Sequence, residues 1–284
     1  MAATERTSPV ARMVRRHDRD RFLTALFAPA GKREDLWALY AFNHEVAKTR
    51  EVVSEPALGR IRLQWWRDTL AAIYGGGEPR QHEVAQPLAA AIARHRLTRE
   101  HLDALIDARE ADLDDEGPAS LAALEAYAEA TSARLAWLAL EVLGEGGAAA
   151  REAGRQAGIA YALAGLLRAV PFHARHKRLM LPRDACHAAG LAPERDLFEL
   201  RSSPALRAVS ATVATAAERH LAAARAHRAS VPRQALAALL PAVLAQADLA
   251  RLKRSGYDPF ARAVAAPDGG RSWRLALAAF TRRY

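Results

Sequence analysis

Cysteine is nearly missing from this chain. Cys186 is the single one among 284 residues, so no disulfide can form within it and a reducing compartment is expected. Long apolar runs are missing too, since no stretch approaches the roughly 20 residues a membrane-spanning helix needs. The opening MAATERTSPVARMVRRHDRDR has arginines but no apolar core. It does not read as a secretory signal, and Glu5, Asp18 and Asp20 speak against a transit peptide, which leaves a cytoplasmic expectation. No Arg/Lys block is interleaved with aromatics, so nucleic acid is not an expected partner. Strand-period segments, internal repeats and low-complexity linkers are absent. So are a Gly-rich phosphate loop before a helix, a Gly-x-Ser-x-Gly elbow and a His-Glu-x-x-His pair.

What is present is helix-forming. Hydrophobic residues make up 51% of the chain and charged ones 26%, and Ala, Leu, Arg and Glu all favour helix. The formal net charge of +9 favours anionic partners, such as an acidic membrane face or a phosphorylated substrate. Helical periodicity predicts helices over 9–28, 33–53, 56–75, 84–95, 98–112, 120–143, 148–170, 184–189, 204–230, 232–254 and 271–283. Pro56 suits a first turn, Gly75-Gly76-Gly77 a stop, and Pro171 a break or kink. Small residues at Gly154, Gly158, Ala162 and Gly165 predict that the helix carrying them sits centrally against close neighbours. The fold class read from this pattern is all-α: one domain over 1–284 with about a dozen helices, residues 1–15 forming a loose N-terminal segment.

Three segments hold polar residues inside apolar helical patterns. In ALYAFNHEVAKTREVV (38–53), Leu39, Phe42 and Val46 mark a buried stripe, with His44, Glu45, Lys48 and Glu51 beside it. The plain account is a solvated face with Glu–Lys pairs one turn apart. In GIAYALAGLLRAVPFHARHKRLMLP (158–182), Arg168, His173, Arg175, His176, Lys177 and Arg178 form a dense cationic run. It suits either phosphate or acidic-lipid contact or a solvated basic loop. Two imidazoles among cations and without a carboxylate make a poor metal site. In Arg62–Asp68, adjacent Trp65 and Trp66 cannot face the same way, so one belongs to the core and the other to a contact or pocket wall. Asp112, Asp114, Asp115 and Glu116 run into Gly117-Pro118 and read as a surface turn.

The order of these segments carries a resemblance. YAF…V at 40–46, RLQWWRDTL at 62–70 and GIA…LLR…RLMLP at 158–182 resemble the squalene/phytoene synthase family over roughly residues 20–255. The resemblance implies the all-α isoprenoid synthase fold, helices around a central cavity that Phe42, Trp66, Tyr161 and Gly165 would line. In active members, two Asp-rich motifs facing each other hold Mg²⁺, which neutralises the departing diphosphate of a prenyl donor such as farnesyl or geranylgeranyl diphosphate. Laid on this chain, the first motif becomes Ala47, Lys48 and Glu51, and the second becomes Ala169 and His173; Ala162 and Gly165 replace an amide pair. Each 1.4 kcal/mol of lost charge stabilisation is about tenfold in rate.

GIAYALAGLLRAVPFHARHKRLMLP, LLPAVLAQADLARLKRSGYDPF and WRLALAAFTRRY are similar to the branch containing the mitochondrial respiratory complex I assembly factor. The implied role is non-catalytic assembly of a membrane respiratory complex. Its partners would be a subunit of that complex and an anionic membrane touched peripherally at the inner face of the inner membrane. No cofactor is expected. The alternative is an active prenyltransferase, or a binder of prenyl diphosphate or an apolar ligand, with a rebuilt basic site at Arg168, His173, Arg175, Lys177 and Arg178; Mg²⁺ belongs only to that alternative.

Overall fold

The computed structural model describes residues 8–114, 116–266 and 268–284. The described residues form seventeen α-helices and no strand. The first seven are α1 (Pro9–His17), α2 (Arg19–Ala25), α3 (Ala30–Ala47), α4 (Thr49–Val52), α5 (Pro56–Tyr74), α6 (Ala85–His95) and α7 (Arg99–Ala108). Then come α8 (Leu121–Ala128), α9 (Arg134–Leu143), α10 (Ala148–Arg168), α11 (Val170–Arg175), α12 (Arg183–Ala188) and α13 (Pro204–Ala226). The last four are α14 (Leu236–Leu239), α15 (Pro241–Arg254), α16 (Arg262–Ala265) and α17 (Arg271–Thr281).

The count exceeds a dozen because several long periodic segments are broken rather than ended. Asp18 leaves helical geometry (φ −137°, ψ 68°) and its side chain accepts from the Arg21 amide, so it closes α1 and caps α2 in one residue. Pro171 stands in the first turn of α11, where its missing N–H costs nothing. The chain therefore jogs at Ala169 and continues as helix over Val170–Arg175, where the sequence predicts a basic loop. Residues 1–15 are also not a loose segment throughout. Ser8 caps α1, and Val10, Ala11 and Val14 are buried against α3, so from Ser8 onward the chain is part of the core. Residues 1–7 lie outside the described part.

Helix α10 occupies the centre, packed against α13, α15, α9 and a π-helical turn at Glu129–Ala133. Its small residues are what permit this. A Cβ at Gly158 would lie 2.6 Å from the Ala133 Cα, and one at Gly154 would lie 2.9 Å from the Leu140 Cδ1. Among the described residues no single helix is long and apolar enough to cross a membrane. A pair bent by 41°, Arg233–Leu239 with Pro241–Arg254, qualifies by length and composition alone. Leu239, Leu244 and Leu249 of that pair belong to the buried core.

Candidate functional site

The first motif ends α3. Glu45, expected on a solvated face, is buried, because its carboxylate accepts from Lys48 Nζ and from Arg62 Nη2 of α5, both at 2.5 Å. Lys48 is thus held by its own helix turn, while Glu51 on α4 is exposed. Ala47 offers no ligand atom. His44 stacks on His17 at 4.4 Å, and burial, followed by the neighbouring His17 and Lys48 charges, lowers its pKa. Phe42 and Trp66 do not line a cavity, contrary to the expectation from the resemblance. They pack edge to face at 5.2 Å, fully buried, because the apolar stripes of α3 and α5 meet there. Trp65, half-buried, stacks near His82 under the Arg80 guanidinium.

The second motif ends α10 and forms a wider network. Arg168 donates to Asp20 of α2 at 3.2 Å and to Asp248 of α15 at 2.7 Å. Arg271 of α17 bridges the same two carboxylates at 2.6 and 2.7 Å. The Tyr161 hydroxyl adds a bond to Asp20 at 3.2 Å, and burial together with Asp20 and Asp18 raises its pKa, so the phenol keeps its proton. Four elements, α2, α10, α15 and α17, are fastened at this point. Ala169 lies at the jog with no ligand atom. His173 is held to about 4 by burial and then by the Arg178 charge, so its ring is neutral near pH 7.

The cationic run of 168–178 does not converge on one site. Arg168 turns to Asp20 and Asp248. Arg178 turns the other way, 3.6 Å from Asp112 and donating to the Asp112 carbonyl. Arg175 and Lys177 are exposed, and His173 Nδ1 is buried without a hydrogen-bond partner. Helix α11 causes the divergence, since it carries successive side chains around a turn instead of along a loop. Asp112 is not a surface residue either: it is buried between Arg109, Arg178 and the Tyr127 hydroxyl. Asp114 and Glu116 are exposed, and Asp115 lies outside the described residues.

Between the two motifs lies a cavity of about 310 Å³. Tyr161, Ala162 and Gly165 of α10 line it with Asn43, Thr131, Ser132 and three arginines, Arg21, Arg109 and Arg168; Asp18 is its one carboxylate. A Cβ on Gly165 would meet nothing within 4 Å, so that position helps to keep the space open. Arg21 stacks on the Tyr161 ring, 5.0 Å from its centre, and pairs with Asp18 at 2.8 Å. The Asn43 Oδ1 is buried without a partner. A second cavity of about 630 Å³ adjoins it and shares His17, Asp18, Tyr161 and Arg168. Each of the three guanidiniums is paired with a carboxylate, Arg21 with Asp18, Arg109 with Asp112 and Arg168 with Asp20 and Asp248.

Arg21, Arg109, Asp20, Asp248 and Arg271 are the polar residues that sequence reasoning did not single out. One had a signal. Asp248 lies on the stripe of Leu244 and Leu252, and an acid there demands a partner. The HDRDR run held Asp20 and Arg21 without showing which of its members turn inward, and nothing in the sequence marked Arg109 or Arg271. Among the described residues no group of three or more His, Cys, Asp or Glu is placed to hold a metal ion.

A model of the squalene/phytoene synthase family matches residues 14–279. Complex I assembly factor 6 of Bos taurus is 36% identical over 248 residues, 87% of this chain and 74% of that protein. The presqualene diphosphate synthase of Rhodopseudomonas palustris is 29% identical over 198 residues, 69% of each chain. Among solved structures, a dehydrosqualene synthase with bound ligand superposes with a TM-score of 0.83 at 17% identity, covering 96% of this chain and 94% of the other. The squalene synthase HpnC of Alicyclobacillus acidocaldarius gives 0.77 at 20%, covering 88% and 94%. These last two likenesses establish the isoprenoid synthase fold.

Proposed function

The chain belongs to the squalene/phytoene synthase family, and from that premise we propose that it is a non-catalytic member that helps to assemble a membrane-bound NADH dehydrogenase complex. One observation carries the reading: the donor set at the motif positions. Mg²⁺ wants several oxygens in octahedral array. Ala47 and Ala169 supply none, and Lys48 brings an ammonium held in place by Glu45. Glu51 is exposed and His173 faces Arg178. These residues do not fit the metal, so ionisation of a prenyl diphosphate through it has no support here. The greater identity and coverage with the assembly factor than with the presqualene diphosphate synthase point the same way.

In this reading the chain works at the cytoplasmic face of the inner membrane, against a subunit of the growing complex. Deleting its gene should lower the assembled NADH dehydrogenase complex in the membranes several-fold, measured on native gels and restored by a plasmid copy. An unchanged amount would overturn the assembly role. Diphosphate release from farnesyl diphosphate and Mg²⁺ by the purified chain, abolished in Glu51→Ala, would overturn the non-catalytic part.

A second reading rests on the arginine-lined cavity: prenyl diphosphate held without metal by Arg21, Arg109 and Arg168. Calorimetric titration with farnesyl diphosphate decides it, because the absence of heat with and without Mg²⁺ removes that reading.

A further inference from the structure

Helix α17 turns one face to the core and leaves the opposite face exposed among the described residues. Leu275 and Ala278 are buried, and Arg271 on the same side locks into Asp20 and Asp248. On the other side Trp273, Leu277 and Phe280 are 73%, 52% and 88% exposed. Spacings of four and three residues put these three on one stripe about 10 Å long. The apolar side chains of a soluble helix normally face the core, and three large ones in a row facing outward mark a contact surface.

The surrounding charge says what kind. Residues 251–284 hold eight of the chain's lysines and arginines and only two acids, Asp258 and Asp268, so six of the nine formal charges lie in this last part. Helix α17 itself has no Asp or Glu. Arg274 lies about a quarter-turn from the apolar stripe and is paired with Asp268 at 2.6 Å, while exposed Arg282 and Arg283 follow the end of the helix. Leu26 and Phe27, also exposed, follow α2, on which α17 packs. An apolar stripe containing Trp and Phe, on a helix without acids and followed by exposed cations, is the pattern of a helix lying in the headgroup region of an anionic bilayer. We propose that the outer face of α17 docks this protein onto a membrane surface rich in anionic lipid, with Trp273, Leu277 and Phe280 inserted among the acyl chains and Arg282 and Arg283 at the phosphates. This deepens the membrane contact of the assembly reading by naming its face. Its failure is separable, because lipid vesicles contain no respiratory subunit.

The rigid anchoring of α17 matters for this role. Arg271 ties the helix to two buried carboxylates at the end of α10, so a docked α17 fixes the orientation of the whole bundle above the lipid.

Co-sedimentation of the full chain with vesicles tests the proposal. Binding is expected with phosphatidylcholine–phosphatidylglycerol vesicles, and much less with phosphatidylcholine alone or in high salt. Trp273→Ser with Phe280→Ser should weaken binding at least about tenfold, since each removes a large apolar side chain from the bilayer. Both positions are exposed, so the unfolding midpoint should not move. Ile61→Ser, at an exposed apolar residue of α5, should bind like wild type. Arg282→Glu with Arg283→Glu should erase the preference for phosphatidylglycerol. Brominated lipids should quench tryptophan fluorescence in wild type and clearly less in Trp273→Phe. Wild type left in the supernatant, or a Trp273/Phe280 variant that pellets like wild type, would overturn the proposal and assign the face to a protein partner.

Discussion

The two motif regions hold their charged groups in different ways. At the end of α3 this is done locally, by a buried Glu45 gripped by Lys48 one turn away and by Arg62 of the neighbouring helix. At the end of α10 it is done from a distance, by Asp20, Asp248 and Arg271, which lie 148, 80 and 103 positions from Arg168. The local solution leaves its cations in reach of water, with Arg62 and Lys48 at 32% and 26% side-chain exposure. The distant one ties four helices together around carboxylates that are 12% and 8% exposed, against 4% for Glu45, with Arg168 open to water at 38% and Arg271 enclosed at 15%. The difference teaches that two halves of one site need not be held alike: one half is ordinary packing, and the other is a structural clasp.

The comparison breaks most easily at the carboxylates. Asp248→Ala leaves Arg168 and Arg271 to share Asp20, with Arg271 only 15% exposed. Stripping a partner from a buried ion network costs about 3 kcal/mol. Glu45→Ala should cost about 1 kcal/mol, because Lys48 and Arg62 can turn to solvent. Urea denaturation of the two variants reads the contrast directly. Equal losses would mean that both ends of the site are held alike.

A smaller effect follows from pH. His173 is held to about 4, against an ordinary 6.5, by burial and then by Arg178. Between those values the unfolded chain takes up a proton that the folded chain refuses, so stability falls as pH drops from about 6.5 towards 4 and levels off below. A single group contributes at most about 1.4 kcal/mol per pH unit over that window, less here because the ring is partly wet. His173→Asn should flatten this slope in denaturation midpoints measured across the window. His44→Asn, at the first motif, should flatten it less, since the shift there has the same direction and the ring is more open. A steeper change in His44→Asn would reverse the assignment of which motif region is more tightly enclosed.

Much of the fold is legible in the sequence, and the reasons are local. The segment from Pro56 to the triple glycine is one helix because its proline, its stripe and its stop agree. Breaks were harder to read. Asp18, Lys48 and Ala169 interrupt helices without a strong breaker at the position itself, and Pro171 marks a helix start where an end was expected. At the site, the replacements at 47, 48, 169 and 173 can be read one by one, because each is a change of residue type on a known pattern. The clasp cannot be read that way. Nothing near Arg168 in sequence says that Asp20 and Arg271 will meet it, since that meeting depends on how α2 and α17 pack on α15. Phe42 and Trp66 mislead for the converse reason: a stripe identifies a buried face, and does not say whether the partner is a cavity or another helix.

A last contrast separates open space from close packing along the second-motif helix itself. Gly165 and Gly158 both sit inside α10, two turns apart, and both weaken a helix relative to alanine by about 1 kcal/mol. Their surroundings differ. A Cβ at 165 projects into the cavity and meets nothing within 4 Å, whereas one at 158 would lie 2.6 Å from the Ala133 backbone on the π-helical turn. Gly165→Ala should therefore stabilise the chain by close to the full propensity term, about 1 kcal/mol, with the cavity still open. Gly158→Ala should instead destabilise it by about 1–3 kcal/mol, because the backbone of the π-helical turn must move. Melting temperatures of the two variants decide the point. If Gly165→Ala destabilised the protein, the room beside Arg168 would be occupied in solution, and the second motif region would be packed as tightly as the first.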